Sequence, residues 1–282
     1  IRRDCLVSRY KSFQNRLSVM ADSKQSIIDQ ETQASRVAEL LALSRALGDA
    51  SRNLCILGEG NTSVAVDKAH LAVKASGSVL ERLREEDVTL CRRAPLLSAL
   101  EDRALTDEQL KALLDSVKVN SSSKKPSIET IFHAWLLCLP GVNYVGHTHS
   151  LEANKILCSP RARDFAERRL FPDEIVFCGT ASVFVPYTDP GLPLAREIRD
   201  RVNAFIKQED AVPKLVLLQN HGIIAMGATP DAVMACTLMA DKAAAVFSGA
   251  AAMGGPNFLT QKHVERIATR PDEHERQKRL NT

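Results

Sequence analysis

The 282-residue chain has no large excess of charge of either sign, because 34 Asp and Glu residues nearly balance its 37 Lys and Arg residues. A net charge of +3 is too small to indicate a nucleic-acid-binding surface. The sequence contains no RRM, zinc-finger or helix-turn-helix signature. It also shows no apolar stretch that we judge long enough to span a membrane. We therefore expect neither a nucleic acid nor a membrane among its partners.

The chain also lacks the cysteine spacing of a disulfide framework, and it contains no CxxC motif. Its seven cysteines are odd in number and scattered along the sequence. This pattern is typical of reduced thiols in a reducing compartment. We therefore predict a cytoplasmic protein.

No internal repeat or low-complexity segment divides the sequence. The composition, with 45% hydrophobic and 25% charged residues, is that of an ordinary globular protein long enough to bury a large core. We predict one α/β domain over residues 27–256. Residues 1–26 are interpreted as an N-terminal extension, flexible or partly non-native, and residues 257–282 as a peripheral helix and tail.

Hydrophobic periodicity and turn residues predict alternating helices and strands. A helix is expected over Glu31–Leu47, and the capping box that begins at Thr106 opens another. Apolar runs predict strands at Leu54–Leu57 and within Ile175–Tyr187, the second interrupted at Gly179. The remaining expected elements are helices from Ser127, over 194–207 and over 230–252, and strands over 64–66, 71–74, 142–149, 214–218 and 223–226.

Two histidines, His147 and His149, stand two residues apart in a predicted strand. Residues i and i+2 of a strand point to the same face, so both imidazoles can bind one metal ion. A third histidine, His221, lies downstream in Asn220-His221-Gly222. Three histidines leave a coordination position open for substrate, as in catalytic metal sites. The short motif alone fits two buried strand histidines equally well.

Five short motifs occur in an order that resembles the class II aldolase/adducin family, over about residues 44–254. They are Gly60-Asn61-Thr62-Ser63, Lys74-Ala75-Ser76-Gly77, Pro126-Ser127-Ile128-Glu129, His147-Thr148-His149 and Asn220-His221-Gly222. The segment over 185–195 is similar to the branch related to sugar-phosphate aldolases. The resemblance implies a three-layer α/β/α domain with a central, mainly antiparallel sheet. It also implies a homotetramer with active sites near subunit interfaces.

The same resemblance assigns roles to residues of this chain. His147, His149 and His221 would bind a divalent ion, normally zinc, with Mn²⁺ or Co²⁺ as alternatives. Glu129 matches the family's acid–base residue; outside the family motif it would be interpreted as a first-turn helix acid. Tyr187 could match a tyrosine that donates a proton in some members, or be an amphipathic residue at a strand end.

Further positions match those that bind the substrate phosphate in sugar-phosphate members. These are Gly60, Asn61, Ser76, Gly77 and Ser127. Backbone N–H groups exposed by glycine, with hydroxyl and amide donors beside them, suit an anion. Several phosphate-binding members have a second serine where this chain has Ile128, so the substrate is expected to be either a sugar or a sugar phosphate. His133 is interpreted as a structural neighbour of the site.

The resemblance predicts a zinc-dependent lyase that cleaves or forms a carbon–carbon bond next to a chelated carbonyl of a sugar or sugar phosphate. Two alternatives remain open. One is an epimerase, dehydratase or decarboxylase that acts on a sugar-derived acid with similar ligands. The other is a non-catalytic, adducin-like binding domain, although such domains have lost metal ligands that this chain retains.

Overall fold

Seven strands form one sheet in the computed structural model, which describes residues 29–273 and 275. The strands are β1 (Asn61–Ala65), β2 (His70–Lys74), β3 (Val88–Arg92), β4 (Tyr144–Thr148), β5 (Val183–Val185), β6 (Leu215–Leu218) and β7 (Gly222–Gly227). Their order in the sheet is β3-β2-β1-β4-β7-β6-β5. All neighbouring strands are antiparallel except β5 and β6, which are parallel. The predicted mainly antiparallel sheet is confirmed.

Helices cover both faces of this sheet. They are α1 (Gln30–Leu47), α2 (Arg93–Glu101), α3 (Asp107–Ser116), α4 (Thr130–Leu136), α5 (Leu151–Leu157), α6 (Ala162–Glu167), α7 (Pro172–Cys178), α8 (Leu192–Glu209), α9 (Pro230–Ala252) and α10 (Gln261–Ala268). The α4 helix begins at Thr130, three residues later than the sequence predicted, because residues 127–129 form a turn.

Alternation along the strands divides the apolar residues into two cores. In β4, Val145 packs in the core beneath α2, α3, α4 and α8, whereas Tyr144 packs in the core beneath α1, α5, α6, α7 and α9. Successive side chains of a strand point to opposite faces, so one strand contributes to both cores. The result is the three-layer α/β/α arrangement that the sequence predicted.

Helix α9 is long and apolar enough to cross a membrane by length and composition, so the sequence-based statement that no such stretch exists is wrong. A core helix of a globular protein meets the same criterion. Helix α9 packs against β4, β7, α1, α5 and α7, and its residues Val233, Ala240 and Phe247 are buried in the second core. One face of α9 is therefore part of the core, whereas Leu238 and Val246 on the same helix are exposed.

The segment Leu54–Leu57, predicted as a strand, is a loop. Leu54 is buried, but Ile56 and Leu57 are 59% and 83% exposed, and Leu57 has a left-handed backbone with φ of 56°. The main-chain bond from the His149 N–H to the Leu54 carbonyl holds the loop against the end of β4. The strand prediction is wrong here because the backbone turns at Leu57, and the Glu59 N–H bonds back to the Ile56 carbonyl.

Within Ile175–Tyr187, the first apolar run is helical: α7 ends at Cys178, and only Val183–Val185 is a strand. Pro172 stands in the first turn of α7 with Asp173 and Glu174, and Gly179, with φ of 88°, ends it. These are helix start and stop residues, whereas a short buried apolar run by itself fits either structure. Strand β3 and helices α2, α5 and α6 were not predicted.

The predicted N-terminal extension, residues 1–26, lies outside the described residues, as does most of the predicted tail beyond Glu273. Helix α10 lies within the segment interpreted as a peripheral helix and tail, and that division of the chain stays a prediction.

Candidate functional site

Three separate segments bring the histidines together at one end of the central strand β4. His147 lies on β4, His149 directly follows that strand, and His221 lies in the turn between β6 and β7. Strand β7 pairs with β4, so the His221 turn lies beside the end of β4. Gly222 permits this approach, because a Cβ at that position would lie 2.4 Å from the Thr148 carbonyl oxygen.

The three imidazoles surround one point. Their ring centroids are 4.9 to 5.0 Å apart, and one nitrogen from each ring lies within 4.8 Å of the other two. The Nε2 atoms of His147 and His149 are 3.1 Å apart. Ligand atoms of a tetrahedral zinc ion with bonds of about 2.1 Å are separated by about 3.4 Å. The spacing of the His147 and His149 nitrogens therefore fits a shared divalent ion.

Protonation also suits metal binding, which requires neutral imidazoles. Burial lowers the pKa of His147 to about 3, and proximity to His221 adds to that shift. Burial, followed by the influence of His147, lowers the pKa of His149 to about 4. The His147 Nδ1–H donates to the Ile223 carbonyl at 2.9 Å, which leaves its Nε2 lone pair facing the other histidines.

Glu129 faces this cluster. Its Oε1 lies 3.4 Å from His221 Nε2, and its Oε2 lies 3.7 Å from His147 Nε2. Although Glu129 stands at the N-terminus of α4, its side chain makes no capping hydrogen bond with the helix. The interpretation as a first-turn helix acid therefore does not explain its orientation, and a carboxylate at this place can accept a proton from a bound molecule.

A buried polar chain continues from Glu129 away from the histidines. The Asn61 amide nitrogen donates to Glu129 Oε2 at 2.5 Å, and the Asn61 oxygen is hydrogen-bonded to His133 Nε2. His133 Nδ1 lies 2.7 Å from the Ser63 hydroxyl. Burial lowers the pKa of His133 well below its usual value. The sequence placed His133 near the site but gave no sign of its bond to Asn61 or of any role for Ser63.

The five predicted substrate-binding residues lie near the same end of the sheet as the histidines. Asn61 begins β1 and contacts Glu129, and an isolated bridge between Ala75 and Pro126 brings the turn containing Ser76 and Gly77 beside Ser127. These residues differ in how far they are buried and hydrogen-bonded. The side chain of Asn61 is bonded at both ends, whereas Ser76 and Gly77 are exposed.

Gly60 has a packing requirement of its own. A Cβ there would lie 2.6 Å from the His147 carbonyl oxygen and 2.7 Å from Cys55 Sγ, and its φ is 67°. Glycine is therefore needed for the close approach of the loop to β4, whatever the loop binds.

Tyr187 is 58% exposed, and its hydroxyl donates to Asp189 at 3.1 Å. Within the part of the chain that the structure describes, this hydroxyl forms no hydrogen bond with Glu129 or the histidines. Its predicted catalytic role stays a prediction.

Glu59, which sequence reasoning missed, lies close to His149. Its Oε1 is 3.8 Å from His149 Nδ1. The signal that could have found it is its place in the glycine-containing turn directly before Asn61.

Comparison with known proteins shows the family to which this chain belongs. The family model of the class II aldolase and adducin N-terminal domain matches residues 38–247. A Bacillus subtilis protein named as the uncharacterised oxidoreductase YuxG is 27% identical over 203 residues, which are 69% of this chain. The match covers 27% of that relative, so the chain spans about a quarter of its length.

Solved structures show the same fold. The N-terminal class II aldolase domain of a conserved Thermoplasma acidophilum protein is 26% identical, with a TM-score of 0.61, over 80% of this chain and 97% of the other. An L-fuculose 1-phosphate aldolase is 18% identical, with a TM-score of 0.62, over 83% and 95%. Since the family model matches most of its length, the chain belongs to the class II aldolase/adducin family.

Proposed function

We propose that this chain is a metal-dependent lyase that forms or cleaves a carbon–carbon bond next to the carbonyl of a sugar or sugar phosphate. The observation that carries the proposal is the convergence of three histidines with a carboxylate 3.4 Å and 3.7 Å from two of them. A purely structural histidine cluster has no need of a carboxylate turned toward it. A non-catalytic binding domain would not require this combination.

His147, His149 and His221 would hold the ion, which we propose to be zinc, with Mn²⁺ or Co²⁺ as possible replacements. The donor set fits, because burial lowers the pKa of His147 and His149 and keeps both imidazoles neutral. When bound, such an ion acts as a Lewis acid that stabilises negative charge developing on a carbonyl oxygen.

Glu129 would act as the general base. In the synthetic direction its carboxylate accepts the proton from the carbon next to the carbonyl, and the electron pair left on that carbon attacks the aldehyde partner. The new carbon–carbon bond forms as the aldehyde oxygen takes up a proton. In the cleavage direction the proton returns from Glu129 to the same carbon. Epimerisation or decarboxylation would use the same charge stabilisation, so the reaction type is the finer part of the proposal.

The other end of the substrate would lie along Gly60, Ser76, Gly77 and Ser127. Ser76 and Gly77 are exposed in the turn after β2, where they offer a hydroxyl group and backbone N–H groups. A phosphate or the hydroxyls of a free sugar could bind there through donors of this kind. Asn61 would contribute to this end through its backbone, because its amide is already bonded to Glu129 and His133.

We further propose a homotetramer in the cytoplasm. Exposed apolar side chains lie on α9 at Leu238 and Val246, and also near the histidines at Leu57 and Leu151. Burial of such residues between subunits would remove apolar surface from water. Light scattering that shows a monomer at micromolar concentration would contradict the assembly.

The six free cysteines among the described residues support a reducing compartment.

The deciding experiment measures metal content and proton exchange together. Purified protein is loaded with zinc, its metal is quantified, and a panel of ketose and dihydroxyacetone-type donors, with and without phosphate, is incubated in deuterated water. Exchange of the proton next to the carbonyl, dependent on metal, supports the lyase. Protein that binds zinc but exchanges no donor would contradict it and favour a non-catalytic relative.

A further inference from the structure

A continuous row of buried polar side chains links the first core to Glu129. It runs from Ser63 through His133 and Asn61 to the carboxylate, and Ser63 and His133 are fully buried. Ser63 and Asn61 lie on β1, two residues apart and on one face, while His133 lies one turn after Glu129 on α4. The row therefore ties the helix that carries Glu129 to the strand beside β4.

The direction of every hydrogen bond in this row is determined by its last member. An ionised carboxylate can only accept, so the Asn61 amide must turn its NH₂ group toward Glu129. The Asn61 oxygen then faces His133, which must donate through Nε2–H. Because neutral imidazole carries one proton, His133 Nδ1 must accept, and the donor is the Ser63 hydroxyl.

We propose that His133 is a positioning residue that holds the Glu129 carboxylate, through Asn61, so that Oε2 is engaged and Oε1 stays free to take a proton. The inference rests on the proposed role of Glu129 as the base. It assigns a function to a histidine that touches no substrate.

Packing alone does not account for this arrangement. His133 stacks on Phe132 with ring centroids 4.7 Å apart, a contact that any planar apolar ring could make. Burying a polar ring without partners costs free energy, and here both ring nitrogens have partners. If the Asn61 amide rotated by half a turn, its oxygen would face the Glu129 carboxylate, an acceptor, and its NH₂ group would face the His133 Nε2–H, a donor. The row therefore permits one orientation of Asn61, and that orientation fixes the Glu129 oxygen that it contacts.

The kinetic test compares three variants in the zinc-loaded protein. His133→Leu removes both ring nitrogens, His133→Gln can restore a donor toward Asn61, and Leu136→Ala is a control in the same helix and core that loses packing but no polar contact. We expect His133→Leu to lower kcat for proton exchange roughly 10- to 100-fold, as for other outer partners of a catalytic site. KM and zinc content should stay near the wild-type values, and His133→Gln should recover part of kcat. An equal loss in His133→Leu and Leu136→Ala, or no recovery with Gln, would overturn the proposal.

A spectroscopic test measures the protonation of the His133 ring nitrogens in the wild-type protein and does not depend on activity. In wild-type protein with ¹⁵N-labelled histidine, His133 should show a protonated Nε2 and a hydrogen-bonded, unprotonated Nδ1. Ser63→Ala should shift the Nδ1 signal and leave Nε2 protonated. A His133 with the proton on Nδ1 would refute the row even if the enzyme is active. If wild-type protein exchanges no donor but shows the expected tautomer, the lyase proposal fails while the arrangement of the row stands.

Discussion

Gly60 lies directly against the main chain of His147: a Cβ on Gly60 would meet the His147 carbonyl oxygen at 2.6 Å. The glycine of the first motif is thus in contact with the strand that carries two of the three histidines. The position of the metal-binding strand and the conformation of the loop before Asn61 depend on each other.

Gly60→Ala should therefore lower both stability and zinc affinity. A non-glycine residue at positive φ costs about 1–3 kcal/mol, and an overpacked contact costs a similar amount again. Gly141→Ala is the matched control, because Gly141 has a φ of 78° with open space around it and carries the backbone cost alone. Chemical denaturation and zinc titration of both variants test this. Equal destabilisation in the two would show that the contact with His147 is unimportant.

Glu129→Gln should reduce the rate and leave the metal in place. Glutamine keeps the size of the side chain and can still accept from Asn61, but it cannot take up a proton. Loss of general-base catalysis typically lowers the rate about 10²- to 10⁴-fold. Proton exchange in deuterated water and zinc analysis of the same sample give both numbers. If Glu129→Gln exchanges as fast as wild type, Glu129 is not the base and Tyr187 becomes the next residue to test.

Glu59→Gln should have the opposite profile, with weaker metal binding and a smaller effect on the rate at saturating zinc. His149 Nε2 is turned toward His147 Nε2, and His149 Nδ1 faces the Glu59 carboxylate at 3.8 Å. A His149 that binds an ion through Nε2 would carry its proton on Nδ1, where Glu59 would accept it and hold the ring in place. Loss of such an outer carboxylate typically costs about 10- to 100-fold in metal affinity. Competition with a chromophoric chelator measures it, and unchanged affinity would remove Glu59 from the site.

The metal-free protein should lose stability as the pH falls from 6.5 toward 4. Burial lowers the folded-state pKa of His147 to about 3 and of His149 to about 4, and that of His133 falls well below its usual 6.5. Below pH 6.5 the unfolded chain binds protons that the folded chain does not. The free energy of unfolding is therefore not reduced by these imidazoles above pH 6.5. Below pH 6.5, each imidazole lowers the free energy of unfolding by up to about 1.4 kcal/mol per pH unit.

Urea denaturation of chelator-treated protein at several pH values between 7 and 4.5 measures this slope. His149→Gln should reduce the slope by up to one proton, which separates the imidazole effect from that of the carboxyl groups. A free energy of unfolding that does not change between pH 7 and 5 would contradict the buried, neutral histidines.

The sequence by itself predicted the parts of this protein that depend on local pattern. Helical periodicity predicted α1 and the capping box at Thr106, and period-2 logic placed His147 and His149 on one face of a strand. The resemblance to the class II aldolase/adducin family implied that His221 and Glu129 would join them and that the fold has three layers, and the family and the fold are confirmed. The spacing of two histidines and the periodicity of a helix could be predicted because strand and helix geometry convert a short spacing directly into a shared face, whereas the roles of His221 and Glu129 came from the family resemblance.

Only the tertiary structure decided what each side chain contacts. Leu54–Leu57 is apolar enough for a strand, but its backbone turns at Leu57. The run before Gly179 forms a helix that packs against α9. The two bonds of Asn61 and the approach of Glu59 to His149 arise where β1, α4 and the loop before β1 meet. Such contacts join segments far apart in the chain, and their geometry depends on strand register and helix packing, which local spacing does not encode.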